Sequence, residues 1–258
     1  MSVIPTTTAL CRRLGIAHPI FAFSHSVEVT IEVTLEGGFA VLGVARDEPE
    51  DIVEMLRKVR AGVGTRRFGV DIMFPKLDGV PSTLEDIKRA LPEGHLRFVE
   101  KLAEKYRVPE ATQPHFFTQQ VRSHSFFEAQ LKAVLASDVD LVAMAVGVPA
   151  EVVGRIKASG KTSLALVGAP KHARAALAAG VEILVAQGAD AGGHTGTIGT
   201  FSLVPQIVEM SGEVPVIAAG GVGHGRQIAA TLAMGAQGAW LGTAWLTTRE
   251  HALSSALV

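Results

Sequence analysis

"VPVIAAGGVGHGRQIAATLAMGAQGAWLGTAWL", residues 214–246, contains two short apolar runs that each end in glycine, with an alanine-rich segment between them. The runs at 214–220 and 238–242 have the length and residue types of buried strands, and 225–234 reads as a helix. A strand, a glycine turn, a helix and a second strand make one βαβ unit, whose strands lie parallel in one sheet. Gly220 and Gly221 follow the first of these strands, and Gly242 and Thr243 follow the second.

The same alternation runs back to the N-terminus. Further strands are predicted at "PIFAF" (19–23), "FAVLGV" (39–44), "RFGVDIMF" (67–74), "VDLVAMAV" (139–146), "TSLALV" (162–167) and "VEILVAQ" (181–187). Helical sequence fills 27–36, 48–60, 149–159, 170–179 and 203–212. Eight strands, all but the last followed by helical sequence, are the number that closes an α/β (β/α)8 TIM barrel. An open doubly wound sheet is the alternative, weakened because no G-x-G-x-x-G follows the first strand. We therefore expect a single domain over 1–258. Within it, 75–138 is too long for a βα loop and is expected to carry two or three helical segments, one of them "HFFTQQVRSHSFFEAQLKAVLAS" (115–137), and to make the third helix plus a small helical lid. Only 16 residues follow Gly242, room for one closing helix, and this leaves open a natural chain that continues further.

Composition narrows the function classes. The chain of 258 residues is 48% hydrophobic with a formal net charge of −1, so no basic surplus recommends a nucleic-acid partner. Cys11 is the only cysteine, which rules out an internal disulfide and thiolate zinc spacings; no metal is expected. The N-terminus lacks the order of a signal peptide, and no uncharged apolar run reaches the roughly 18 residues of a membrane span. A cytoplasmic protein without a membrane partner is the expectation, with a homo-oligomer left open.

In a TIM barrel the chemistry sits on loops after the C-terminal ends of the strands. Those positions are 22–26, Asp71, Met144, 167–169, 187–199, 220–223 and 242–243. The loops after strands seven and eight frequently make a phosphate site, because glycines allow close backbone approach and helix N-termini offer N–H groups. Ordinary tight turns are the competing reading of either loop alone. In "ILVAQGADAGGHTGTIGT" (183–200), His194 stands among glycines just past a strand end. Most lone histidines are structural, but an imidazole so placed is suited to moving a proton from an acidic carbon.

"AQGADAGGHTG" followed by "PVIAAGGVGHGRQIAATLAMGAQGAWLGTAWL" resembles the nitronate monooxygenase family, formerly 2-nitropropane dioxygenases, which are FMN-dependent barrels. The resemblance is close from strand six onward and loose over the first three strands. It implies FMN with its phosphate held by Gly220, Gly221, Gly242 and Thr243, and with Gln187, Gly192 and Gly193 lining the cofactor. By the same resemblance His194 is the catalytic residue, and Ala22, Phe23, Ser24 and Asp71 lie against the flavin. The implied reaction is oxidation of an alkyl nitronate, or a similar stabilised carbanion, by dioxygen to a carbonyl product and nitrite.

Two departures bear on the flavin. Many members carry Ala-Pro-Met after the first strand, where this chain has Ala22, Phe23 and Ser24 followed by His25; an asparagine often ends strand three, where this chain has Asp71. An ionised acid there would set negative charge beside an electron-rich ring unless it is protonated or paired, and a loop-capping acid is the competing reading. His25 is a second candidate for the site, whereas His224 is expected to face solvent or phosphate. Phe116, Phe117, Phe126 and Phe127 are expected to pack the inserted helix on the barrel. Two rival functions remain, a flavin-dependent enoyl or acyl thioester reductase or dehydrogenase and a non-catalytic phosphate-ligand binding protein. Chemistry of the IMP dehydrogenase type needs a mid-barrel cysteine, and Cys11 precedes the first strand.

Overall fold

The computed structural model describes residues 7–74, 84–109 and 123–252. Strands β1 (Ile20–Ser24), β2 (Phe39–Gly43), β3 (Gly69–Met73), β4 (Leu141–Ala145), β5 (Thr162–Val167), β6 (Ile183–Gln187), β7 (Val216–Ala219) and β8 (Gly238–Leu241) pair in chain order into a closed barrel. Every ladder is parallel, and Phe21 opposite Trp240 in the β1–β8 register closes the ring. Each expected strand is present, so the TIM barrel stands.

Side-chain alternation divides the core in two. Phe21, Phe39, Val41, Leu141, Leu164, Ile183, Val185, Ile217 and Trp240 fill the barrel, while Leu42, Val70, Ile72, Val142, Met144 and Leu184 meet the surrounding helices. Both faces of each strand are therefore dry, which explains why the strands read as unbroken apolar runs.

Ten α-helices are assigned among the described residues. The first, α1 (Ala9–Leu14), was absent from the sequence expectations. The Thr8 hydroxyl accepts from the Cys11 N–H at 3.2 Å, and Gly15 stops the helix in the left-handed region at φ 72°. Leu10 and Leu14 pack with Phe21 and Phe39, so α1 closes the barrel end opposite the strand C-termini. Helices α2 (Val27–Leu35) and α3 (Pro49–Val63) then follow their strands, α3 burying Ile52, Leu56, Val59 and Val63 on one stripe.

Beyond β3 come α4 (Leu84–Ala90), α5 (Glu93–Tyr106) and α6 (His124–Ala136). Helix α6 is the barrel's third helix: Phe126, Phe127, Leu131 and Val134 are buried, and it packs against α3 and β3. Phe126 and Phe127 therefore act as expected, while Phe116, Phe117 and the proposed helical start at 115–122 lie outside the described residues. In contrast, α5 buries none of its residues and leaves Phe98, Val99 and Tyr106 exposed.

The remaining helices are α7 (Ala150–Ala158), α8 (Pro170–Ala178), α9 (Thr200–Met210) and α10 (Gly225–Ala233). After β8 the described residues form one 3-10 segment, Thr243–Thr247, while 253–258, where a closing helix had room, lie outside the described residues. The chain then crosses to the start of α2, where the N-cap Ser26 hydroxyl donates to the Glu250 carbonyl. Among the described residues no helix is long and apolar enough to cross a membrane, and no group of three or more His, Cys, Asp or Glu is placed to hold a metal.

Candidate active site

The loop from Gly188 to Gly199 leaves the C-terminal end of β6 and carries His194. Its base is pinned by hydrogen bonds from the Gly188 N–H to the Ala219 carbonyl (2.9 Å) and from the Ala189 N–H to the Ile198 carbonyl (2.8 Å). Asp190 accepts from the Thr200 N–H at 2.6 Å at the start of α9, a bond that holds the Asp190 carboxyl below its ordinary range. That anchor explains why α9 begins at Thr200, three residues before the expected start. The Thr200 hydroxyl in turn donates to the Gly220 carbonyl at 3.0 Å, tying this loop to the one after β7.

Close backbone contact explains several of the glycines. A β-carbon at Gly196 would lie 2.3 Å from the Gly168 carbonyl oxygen of the loop after β5. One at Gly192 would lie 2.7 Å from the Thr243 hydroxyl, in the segment after β8. Hence the His194 loop is clamped between its neighbours, and Gly192 serves that clamp. The Gln187 side-chain amide donates to the His194 carbonyl at 2.7 Å, fixing the main chain while the imidazole stays exposed. Gly193, Gly223 and Gly242 differ, for a β-carbon on any of them would meet no heavy atom within 4 Å. These three offer the open backbone that an approaching ligand needs.

The loop after β7 has its own brace. Gly220 and Gly221 both have positive φ, at 109° and 69°. Gln227, in the first turn of α10, donates to the Gly221 carbonyl at 2.7 Å and accepts from the Gly223 N–H at 2.9 Å. His224 is the N-cap of α10, its Nδ1 accepting from the Arg226 N–H at 3.1 Å. The sequence reading gave Gln227 and Asp190 no role although both stand inside the quoted motifs, because each acts through hydrogen bonds to backbone groups that only the fold brings into reach.

Across the mouth, Phe23 stacks on Trp240 with ring centroids 6.1 Å apart, and His25 meets Phe23 edge-on at 5.2 Å. His25 Nδ1 lies 2.7 Å from the Gly43 carbonyl, which can only accept, so Nδ1 carries the proton. Nε2 is then the acceptor for the Arg46 guanidinium at 3.1 Å. Burial, followed in size by the opposing hydrogen bond to Gly43, leaves the His25 pKa below its ordinary value. Because this shift is downward, the stability it reflects is present above the ordinary histidine range and is lost as pH falls through the lowered value. The Arg46 loop is held from behind by Gln130 of α6, which donates to the Asp47 carbonyl at 2.8 Å. The sequence had offered His25 but gave Arg46 no role.

Of the other candidates on this side, Ala22 is fully buried in the barrel wall, and the Ser24 hydroxyl accepts from the Ser26 N–H at 3.1 Å. Asp71 lies on the inner face of β3, because its neighbours Val70 and Ile72 belong to the helix-side core. It is 5% exposed, its Oδ1 lacks a hydrogen-bond partner, and burial pushes its pKa up to about 8.

A raised acid pKa means that the folded state holds a proton the unfolded chain has already released. Stability from this source is complete below the ordinary Asp range, near pH 4, and is lost as pH climbs to about 8. Asp71→Asn should therefore gain in melting temperature relative to the parent as pH rises from 5 to 8. Thermal unfolding of flavin-free protein at both values checks this, and a pH-independent difference would contradict it.

The chain matches the family profile described as nitronate monooxygenase over residues 8–257. It is 39% identical over 251 residues to Rv1533 of Mycobacterium tuberculosis, named as a monooxygenase, covering 94% of this chain and 67% of that protein. A Staphylococcus aureus protein named as a nitronate monooxygenase is 28% identical over 266 residues, covering 96% and 70%. Among solved structures, nitroalkane oxidase from Streptomyces ansochromogenes superposes with a TM-score of 0.76 at 30% identity, covering 93% and 69%. FabK from Thermotoga maritima shares the fold with a TM-score of 0.73 at 23% identity, covering 97% and 66%. With His194 clamped among the loops at the strand C-termini of a closed barrel, and with a profile match running almost end to end, the chain belongs to the nitronate monooxygenase family and is a flavin-dependent oxidoreductase.

Proposed function

We propose that the protein oxidises alkyl nitronates, or similarly stabilised carbanions, with FMN and dioxygen, giving a carbonyl product and nitrite. The observation that carries this reading is the exposed His194 on a loop locked to the loops after β5, β7 and β8. The residues present suit a flavin: Gly223, Gly242 and Thr243 would take its phosphate, and the buried carboxyl of Asp71 offers the ring a polar partner. Bound flavin supplies the electron acceptor and the route to dioxygen. The chain supplies orientation and proton handling. His194 removes the proton from the acidic carbon of a neutral nitroalkane, or donates a hydrogen bond to a substrate that arrives ionised. Gln187 keeps the histidine backbone from drifting as that happens.

One phosphate site without a dinucleotide motif supports FMN over FAD. Cofactor released by denaturation should lack adenine, and chromatographic detection of adenine would overturn the choice. A reductase acting on a thioester is the second reading. It is supported by Arg46, a guanidinium fixed at the mouth by His25, which suits a phosphate-bearing carrier. Anaerobic mixing of the purified flavoprotein with a nitronate, and separately with NADPH, tests both. Bleaching by the nitronate alone supports the proposal, and rapid bleaching by NADPH alone replaces it with the reductase.

A further inference from the structure

Among the described residues no cation answers the charge of Asp71, and its buried Oδ1 has no hydrogen-bond partner. Its register partners are Gly43 on β2, which has no side chain, and Ala143 on β4, which has only a methyl group. The space beside Gly43 is taken by the His25 ring, whose two nitrogens are already committed to the Gly43 carbonyl and to Arg46. The titratable or charged groups of the adjoining elements are thus His25 after β1 and Arg46 and Asp47 after β2, while β4 contributes none over Leu141–Ala145. Burial alone accounts for the raised pKa, with no neighbouring charge contributing. A carboxylate so enclosed would be severely desolvated, whereas a carboxylic acid needs only one acceptor for its O–H.

We propose that Asp71 works as a neutral carboxylic acid, a hydrogen-bond donor aimed from the inner wall of the barrel at an acceptor on the flavin ring, so that cofactor affinity depends on its proton. This rests on reading the barrel mouth as the flavin site. An acid in this role differs from an amide in one respect: the acid becomes a repelling acceptor once ionised, and the amide keeps its N–H at every pH. Where an asparagine would be a constant donor, Asp71 is one that alkali removes.

The test uses flavin-free protein titrated with FMN, with dissociation constants read from flavin fluorescence at intervals between pH 6 and 9.5, for the parent, Asp71→Asn and Asp71→Leu. In the parent the constant should rise toward about tenfold per pH unit once the pH exceeds the carboxyl's own value. Asp71→Asn should bind with little pH dependence beyond that of FMN itself, and Asp71→Leu should bind weakly throughout. Infrared difference spectra of the parent at pH 7 should show a protonated-carboxyl band that Asp71→Asn lacks. Parallel pH profiles for the parent and Asp71→Asn, or absence of that band, would overturn the donor role while leaving the flavin site intact. Failure of every form to bind FMN at any pH would overturn the flavin site itself, and the donor role with it.

Discussion

His194→Ala protein should fold, load flavin and turn over a neutral nitroalkane roughly 10² to 10⁴ times more slowly than the parent, the usual contribution of a positioned proton-transfer group. The structure explains why fold and cofactor should survive. The imidazole is exposed, and the residue's structural bond is made by its backbone carbonyl, which alanine also provides. The loop itself is held by Asp190, by Thr200 and by close contacts at Gly192 and Gly196, none of which involve the removed ring. The loss should be largest for the neutral substrate, which must surrender a proton, and smaller for a nitronate supplied already ionised. Steady-state rates with both forms on flavin-replete enzyme are the measurement. Equal losses would remove the assignment as a base, and no loss with either would remove His194 from the mechanism.

The contrast between what the sequence revealed and what it hid has a physical origin. A run such as "ILVAQ" is legible because a parallel barrel strand is dry on both faces, so its hydrophobicity survives without knowledge of its neighbours. Helix periodicity is less decisive. Both α5 and α6 have apolar stripes; the aromatic pair Phe126 and Phe127 pointed to α6, but nothing local said that Phe98 and Val99 of α5 would stay exposed. The site divides in the same way. "GADAGGHTG" announces a special loop, but the role of each glycine depends on the atom that faces it: Gly168 for Gly196, and Thr243 for Gly192. The partnership of His25 with Arg46 joins the ends of adjacent strands 21 residues apart, and only the closed ring brings them level. Asp71 carried a readable hint, an acid inside the apolar run "GVDIM". That its Oδ1 is buried without a partner among the described residues could be known only from three dimensions.

The open glycines give the sharpest test of the phosphate site. Sequence alone would direct a blocking substitution at Gly221, but there the backbone has φ 69° and a β-carbon would lie 3.1 Å from Asp190 Cβ. Any side chain at that position strains the fold, so flavin loss would not identify its cause. Gly242 avoids the problem, with φ −119° and no heavy atom within 4 Å of a would-be β-carbon. Gly242→Val should therefore leave the melting temperature of the flavin-free protein close to the parent's while obstructing close approach of a phosphate. Two charge-assisted N–H bonds at roughly 1.5–3 kcal/mol each would be forfeited, about 10² to 10⁴-fold in the dissociation constant. Flavin content after purification, FMN titration of the stripped protein and its thermal unfolding together decide the matter. Normal flavin affinity in a normally stable Gly242→Val protein would place the phosphate elsewhere on the rim, whereas lost affinity with an unchanged melting temperature would fix it at the loop after β8.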